Sequence, residues 1–119
     1  MTYVRKTIDE LAPRFGGVVR LARKDLGITA FGCQVFELPP NVAAHRHSES
    51  ASGQQEMYVN LAGRGWIEVD GEDVEFGPRT LIHVAPEAVR QPRAGTDGLT
   101  YLCVGASPEP TFRPNSKFD

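Results

Sequence analysis

The chain has 119 residues, enough for one domain with a real core and not for two. A composition 40% hydrophobic, 24% charged and 8% aromatic is that of an ordinary globular protein and excludes general disorder away from the ends. The 13 basic and 15 acidic residues leave a net charge of −2 with no basic stripe, so neither nucleic acid nor an anionic membrane is an expected partner. No apolar run reaches the length of a membrane span, and none follows Met1 to Lys6, which makes the cytoplasm the expected compartment.

In chain order, Thr7-Ile8-Asp9-Glu10 has the form of a capping box, but Pro13 limits it to a turn or two of helix. Beyond it period-two patterns dominate. They predict strands over 18–24, 28–38, 55–61, 65–69, 74–76, 80–85, 89–93 and 99–104. Turn chemistry punctuates them at Pro39-Pro40-Asn41, Asp70-Gly71, Gly77-Pro78, Ala94-Gly95 and Asp97-Gly98. Asp70-Gly71 is the clearest hairpin, because a type I′ turn needs positive φ at both central residues. Many short strands at even spacing indicate an all-β fold, an antiparallel barrel or sandwich. Residues 109–119 read as a tail on the surface. Cys33 and Cys103 each lie in an apolar strand-like segment, where a buried free thiol is the common state.

The chemistry concentrates in HRHSESASGQQEMYVNLAGRG, which places His45, His47 and Glu56 within a dozen positions. Two histidines at i and i+2 of an extended segment face the same side, and a carboxylate from a neighbouring strand completes a facial set. Two imidazoles and a carboxylate with open positions suit iron, zinc, nickel or manganese, so the set selects a class of divalent transition metal and not one ion. The same pair in a polar loop is also what two solvated, titrating side chains look like, and the residues alone leave both readings open.

The run from His45 to Gly63 resembles the first signature motif of the cupin superfamily, a histidine pair followed by a glutamate and, seven positions later, a glycine. Glu56 and Gly63 have that last spacing, whereas eight residues separate His47 from Glu56 where the family usually has three or four. The order hairpin, Gly-Pro, apolar strand, Pro, second strand extends the resemblance over about residues 28–105. It implies a single cupin-like domain over 1–119, an antiparallel β-barrel or jelly roll with a short N-terminal helical turn, and a homodimer. The second motif departs from the family. Where cupins carry glycine, proline, glycine and a metal-binding histidine, this chain has Arg79, Ala85, Glu87 and Arg90. Arg90 then occupies the fourth ligand position, and a guanidinium offers donors only, so it cannot ligate a cation.

Two functions follow, beside the plainer reading that the barrel is mainly an interaction or stability element. In one, His45, His47 and Glu56 hold a divalent metal while Arg90 anchors the carboxylate or phosphate of a small anionic substrate through paired hydrogen bonds, for an oxygenase, isomerase or lyase. In the other the metal is lost, Arg90 pairs with Glu56, and the barrel mouth is a small-molecule binding or sensor module. Gln54 and Tyr58 share the strand parity of Glu56 and are further candidates for substrate contact, against the plainer roles of a solvated glutamine and a core aromatic. His83 in LIHVA reads as structural and outside the metal set. Trp66 packs on a sheet face, and Arg93, of opposite parity to Arg90, is exposed. The acidic cluster from Glu68 to Glu75 reads as a solvated rim that discourages edge pairing.

Overall fold

The computed structural model describes residues 2–108. The expected tail over 109–119 lies outside them. The capping box holds: a single 3₁₀ turn, Ile8–Glu10, is closed by the Glu10 carboxylate, which accepts from the Thr7 N–H and hydroxyl, each at 2.9 Å. The first strand, β1 (Pro13–Arg14), and β2 (Val19–Arg20) are two residues each. The strand expected over 18–24 stops there, and α1 (Ala22–Leu26) takes its place. Ala22, Arg23, Lys24 and Leu26 are strong helix formers, and Gly27 closes the helix in the left-handed conformation at φ 75°.

The remaining strands are β3 (Gly32–Leu38), β4 (Gln55–Val69), β5 (Glu72–Phe76), β6 (Leu81–Val84) and β7 (Arg90–Ala106). All pair antiparallel in one sheet of order β1-β2-β3-β7-β4-β5, with β6 also on β4. Two expected breaks are absent: 55–61 and 65–69 are one strand, and so are 89–93 and 99–104. These long strands pair along their whole length, and the register shifts between Asn60 and Ala62 and between Gly63 and Gly65. Glycine is what allows the bend. A Cβ on Gly63 would collide with the Gly98 carbonyl, and one on Gly65 with the Arg93 carbonyl. The signals read as turns at Ala94-Gly95 and Asp97-Gly98 therefore bend β7 without ending it. The Asp70-Gly71 hairpin forms as expected, with φ of 48° and 87°.

The bent sheet folds over two apolar clusters. Its inner face buries Tyr58, Ile67, Phe76, Leu99 and Tyr101, with Phe36 stacked on Tyr101 at 4.9 Å. The other face of β3 packs Cys33 and Val35 against Leu11 and Ala22, which seats the N-terminal segment. Both cysteines are buried thiols that are not joined in a disulfide. No helix among the described residues is long and apolar enough to cross a membrane. His83 and Trp66 are exposed on the sheet's outer face; Trp66 lies 5.6 Å below the Arg93 guanidinium, which also meets Asp73 at 3.2 Å. Arg93 is thus half-buried by its partners, and the acidic hairpin is partly neutralised, since Glu68 pairs with Arg46 at 2.8 Å.

Candidate metal centre

Residues 42–49 form no long strand but run antiparallel to the start of β7. The His47 N–H donates to the Arg90 carbonyl at 3.0 Å, the Arg90 N–H returns to His47 at 2.8 Å, and the Ala44 N–H reaches Pro92 at 2.8 Å. Extended backbone sends alternate side chains to one side, so His45, His47 and Glu49 face inward. Beyond Glu49 the chain turns, with the Ser52 and Gly53 N–H groups donating to the Glu49 carbonyl, before β4 delivers Glu56 and Tyr58 from the opposite wall. Between the walls lies a cavity of about 70 Å³, lined by these side chains together with Gln54, Phe36, Tyr101 and Cys103. Glycine keeps its floor low: a Cβ on Gly105, which pairs with Glu56, would sit 3.0 Å from the Gln54 Oε1.

The arrangement brings His47, Glu49 and Glu56 together, each offering one donor atom within 4.8 Å of the others. His47 Nε2 is 3.0 Å from Glu49 Oε2 and 3.9 Å from Glu56 Oε1. Its Nδ1 lies 3.2 Å from the His45 carbonyl. A carbonyl only accepts, so a proton on Nδ1 is satisfied there, and in that tautomer Nε2 turns a lone pair toward two carboxylates. Acceptor then faces acceptor, and either a proton on Nε2 or a metal cation resolves the contact. Without metal it is the proton: the hydrogen bond to Glu49 raises the His47 pKa despite partial burial. Burial alone would push the Glu49 carboxyl up, but hydrogen bonds from His47 and Ser52 and the charges of His47 and Arg90 together hold it below its ordinary value.

Glu56 is tied from behind. The Tyr58 hydroxyl donates to its Oε1 at 2.7 Å, and burial raises the tyrosine pKa well above its ordinary value, so the hydroxyl stays a donor. Burial likewise pushes the Cys103 thiol well up, so it is a neutral wall of the cavity.

Of the expected residues, His45 lines the cavity with its ring parallel to that of His47, centroids 5.9 Å apart, but is outside the three-residue donor cluster. Gln54 and Tyr58 line the cavity. Arg90 does not. Its guanidinium is 0% exposed behind Glu56, with Nε 3.9 Å from Glu56 Oε1 and Nη2 donating to the Ala85 carbonyl at 2.8 Å. The bidentate grip on a ligand expected of it is replaced by a pairing with Glu56, because the inward parity that matches a fourth-ligand position also buries the side chain among β6 and its following turn. Glu49 escaped the sequence reading, although the parity that joined His45 to His47 continues to it.

One imidazole and two carboxylates fit a divalent ion such as Mn²⁺, Fe²⁺, Ni²⁺ or Zn²⁺. The His47–Glu49 separation already equals the spacing of neighbouring ligands about such an ion, and the aimed Nε2 lone pair is the electronic requirement. Groups behind the donors are also in place: the His45 carbonyl is positioned to accept from His47 Nδ1, and the Tyr58 hydroxyl orients Glu56.

No family model and no curated protein matches the chain. Solved structures do. A cupin protein from Bacteroides fragilis superposes with a TM-score of 0.76 at 22% identity, covering 100% of this chain and 95% of that one. A cupin 2 conserved barrel domain protein from Salinispora arenicola gives 0.73 at 16% identity over 91% of each chain. A structure from Thermotoga maritima described as a predicted oxalate decarboxylase gives 0.70 at 19% identity, over 90% of this chain and 99% of the other. At these identities the likeness is one of fold, and together with the sheet order and the motif around His45 and Glu56 it identifies the chain as a small protein of the cupin fold.

Proposed function

We propose that this chain is a metal-dependent enzyme in which His47, Glu49 and Glu56 hold a divalent transition metal and the adjoining cavity takes a small anionic molecule, for oxygenase, isomerase or lyase chemistry. The observation that carries this reading is the convergence of His47 Nε2 with the Glu49 and Glu56 carboxylates, donor atoms within 4.8 Å of one another, while the His45 carbonyl stands ready to accept from Nδ1. A bound metal supplies Lewis acidity toward an oxyanion. The chain's own residues do the rest. Tyr58 holds Glu56 in place, Phe36 and Tyr101 form an apolar wall that limits water, and the cavity admits only a few atoms. The small-acid class of substrate accords with the oxalate decarboxylase description of one structural neighbour.

A metal-free binding module is the second reading, favoured by the ion pairs His47–Glu49 and Arg90–Glu56, which neutralise the site internally. Equilibrating apo-protein with Mn²⁺, Fe²⁺, Ni²⁺ or Zn²⁺, followed by gel filtration and elemental analysis, separates the two. Retention of about one equivalent of at least one ion supports the metal centre, and retention of none supports the binding module.

A further inference from the structure

We propose that Arg90 couples metal binding at this site to an anion, so that a divalent ion and a small monoanion bind cooperatively, with Arg90 as a positioning cation behind Glu56. The inference rests on the metal-centre reading above. Arg90 is wholly buried, and only its Nη2 is hydrogen-bonded, to the carbonyls of Ala85 at 2.8 Å and Val84 at 3.5 Å. Among the described residues, Nε and Nη1 have no hydrogen-bond partner, and Nε stands 3.9 Å from the Glu56 Oε1. A buried guanidinium with unspent donors is a costly feature that calls for a compensating charge.

Glu56 can compensate it only while its own charge is not committed elsewhere. A divalent ion held by neutral His47 and the two carboxylates is balanced by those carboxylates alone. Arg90, protonated at any physiological pH, then leaves one surplus positive charge in a site where solvent screening is weak. The cavity beside the cluster offers about 70 Å³, room for an anion of a few heavy atoms, and the neutral Tyr58, Tyr101 and Cys103 on its walls bring no negative charge of their own. A monoanion entering there removes the surplus, and by linkage it tightens the metal as much as the metal tightens it.

The test measures Zn²⁺ affinity of the full chain by competition with a fluorescent chelator, at fixed ionic strength, with sodium formate or with the sodium salt of morpholinoethanesulfonate, an anion too bulky for the cavity. Formate is expected to tighten Zn²⁺ binding about tenfold in the native protein. Arg90→Lys, which keeps the charge, is expected to retain most of this effect. Arg90→Met is expected to bind Zn²⁺ about tenfold more tightly than the native protein in the sulfonate buffer and to lose the formate effect. Equal Zn²⁺ affinity in both buffers overturns the coupling and leaves the metal centre standing, whereas no Zn²⁺ binding in either overturns both. A full formate effect in folded Arg90→Met removes Arg90 from the account. If circular dichroism shows the Met variant unfolded, calorimetry of formate binding to the native protein with and without Zn²⁺ decides instead. Linkage requires the same ratio, and formate binding indifferent to Zn²⁺ overturns the proposal.

Discussion

His47 Nε2 lies 3.0 Å from Glu49 Oε2 while its Nδ1 is committed to the His45 carbonyl at 3.2 Å. In the metal-free protein this geometry requires an imidazolium, and the consequence is a pH dependence of stability. The His47 pKa is raised above 6.5 on folding, chiefly by Glu49, so its contribution is complete below the unfolded value and disappears as pH rises through the folded one. The Glu49 pKa is lowered below 4.5, so the same pair is lost again as pH falls through that lower value. Thermal melting of apo-protein is expected to weaken as pH rises above the ordinary histidine value near 6.5, in the native chain but not in His47→Gln. Parallel pH profiles of the two proteins would contradict the assignment.

Gly71 in the β4–β5 hairpin and Gly65 at a bend of β4 separate two kinds of cost. A side chain at Gly71, with φ 87° and open space around it, meets only backbone strain, so Gly71→Ala should lower stability by about 1 kcal/mol. At Gly65 a Cβ runs into the Arg93 carbonyl, and Gly65→Ala should cost about 2 to 3 kcal/mol in chemical denaturation. The opposite ranking would mean that the β4 and β7 backbones are not in close contact there.

Cys103 sits on the cavity wall, fully buried, with its thiol pushed well up by that burial, and Cys33 is buried in the second cluster. Neither is expected to react with Ellman's reagent in the native protein, and both should react at once in guanidinium chloride. Rapid titration of a thiol in the native state would show the cavity more open than described.

Much of the architecture was legible in the residues. Alternation located β3, β5 and β6, and Asp70-Gly71 announced its hairpin because the required φ values leave little choice of residue. The strand breaks were misplaced because glycine pairs look alike whether they end a strand or bend it, and only the partner strand, here β7 against β4, decides which. Likewise Ala22–Leu26 follows the apolar run Val18-Val19 that reads as a strand, and only the helix formers Ala22, Arg23, Lys24 and Leu26 with Gly27 after them mark the change. At the cavity, the convergence of His45, His47, Gln54, Glu56 and Tyr58 on one space was legible from motif and parity. Glu49 was not, since its role depends on how residues 48–54 turn, and Arg90's depth behind Glu56 depends on packing against β6.

The metal content of the chain tests the central claim most directly. Native protein, His47→Ala and Glu56→Gln, each expressed without chelator and confirmed folded by circular dichroism, are compared by plasma emission after gel filtration. The account predicts about one equivalent of a transition metal in the native protein and loss of most of it in both variants, with binding weakened at least tenfold. Native protein that holds no metal after loading, or His47→Ala that keeps its full complement, would contradict it.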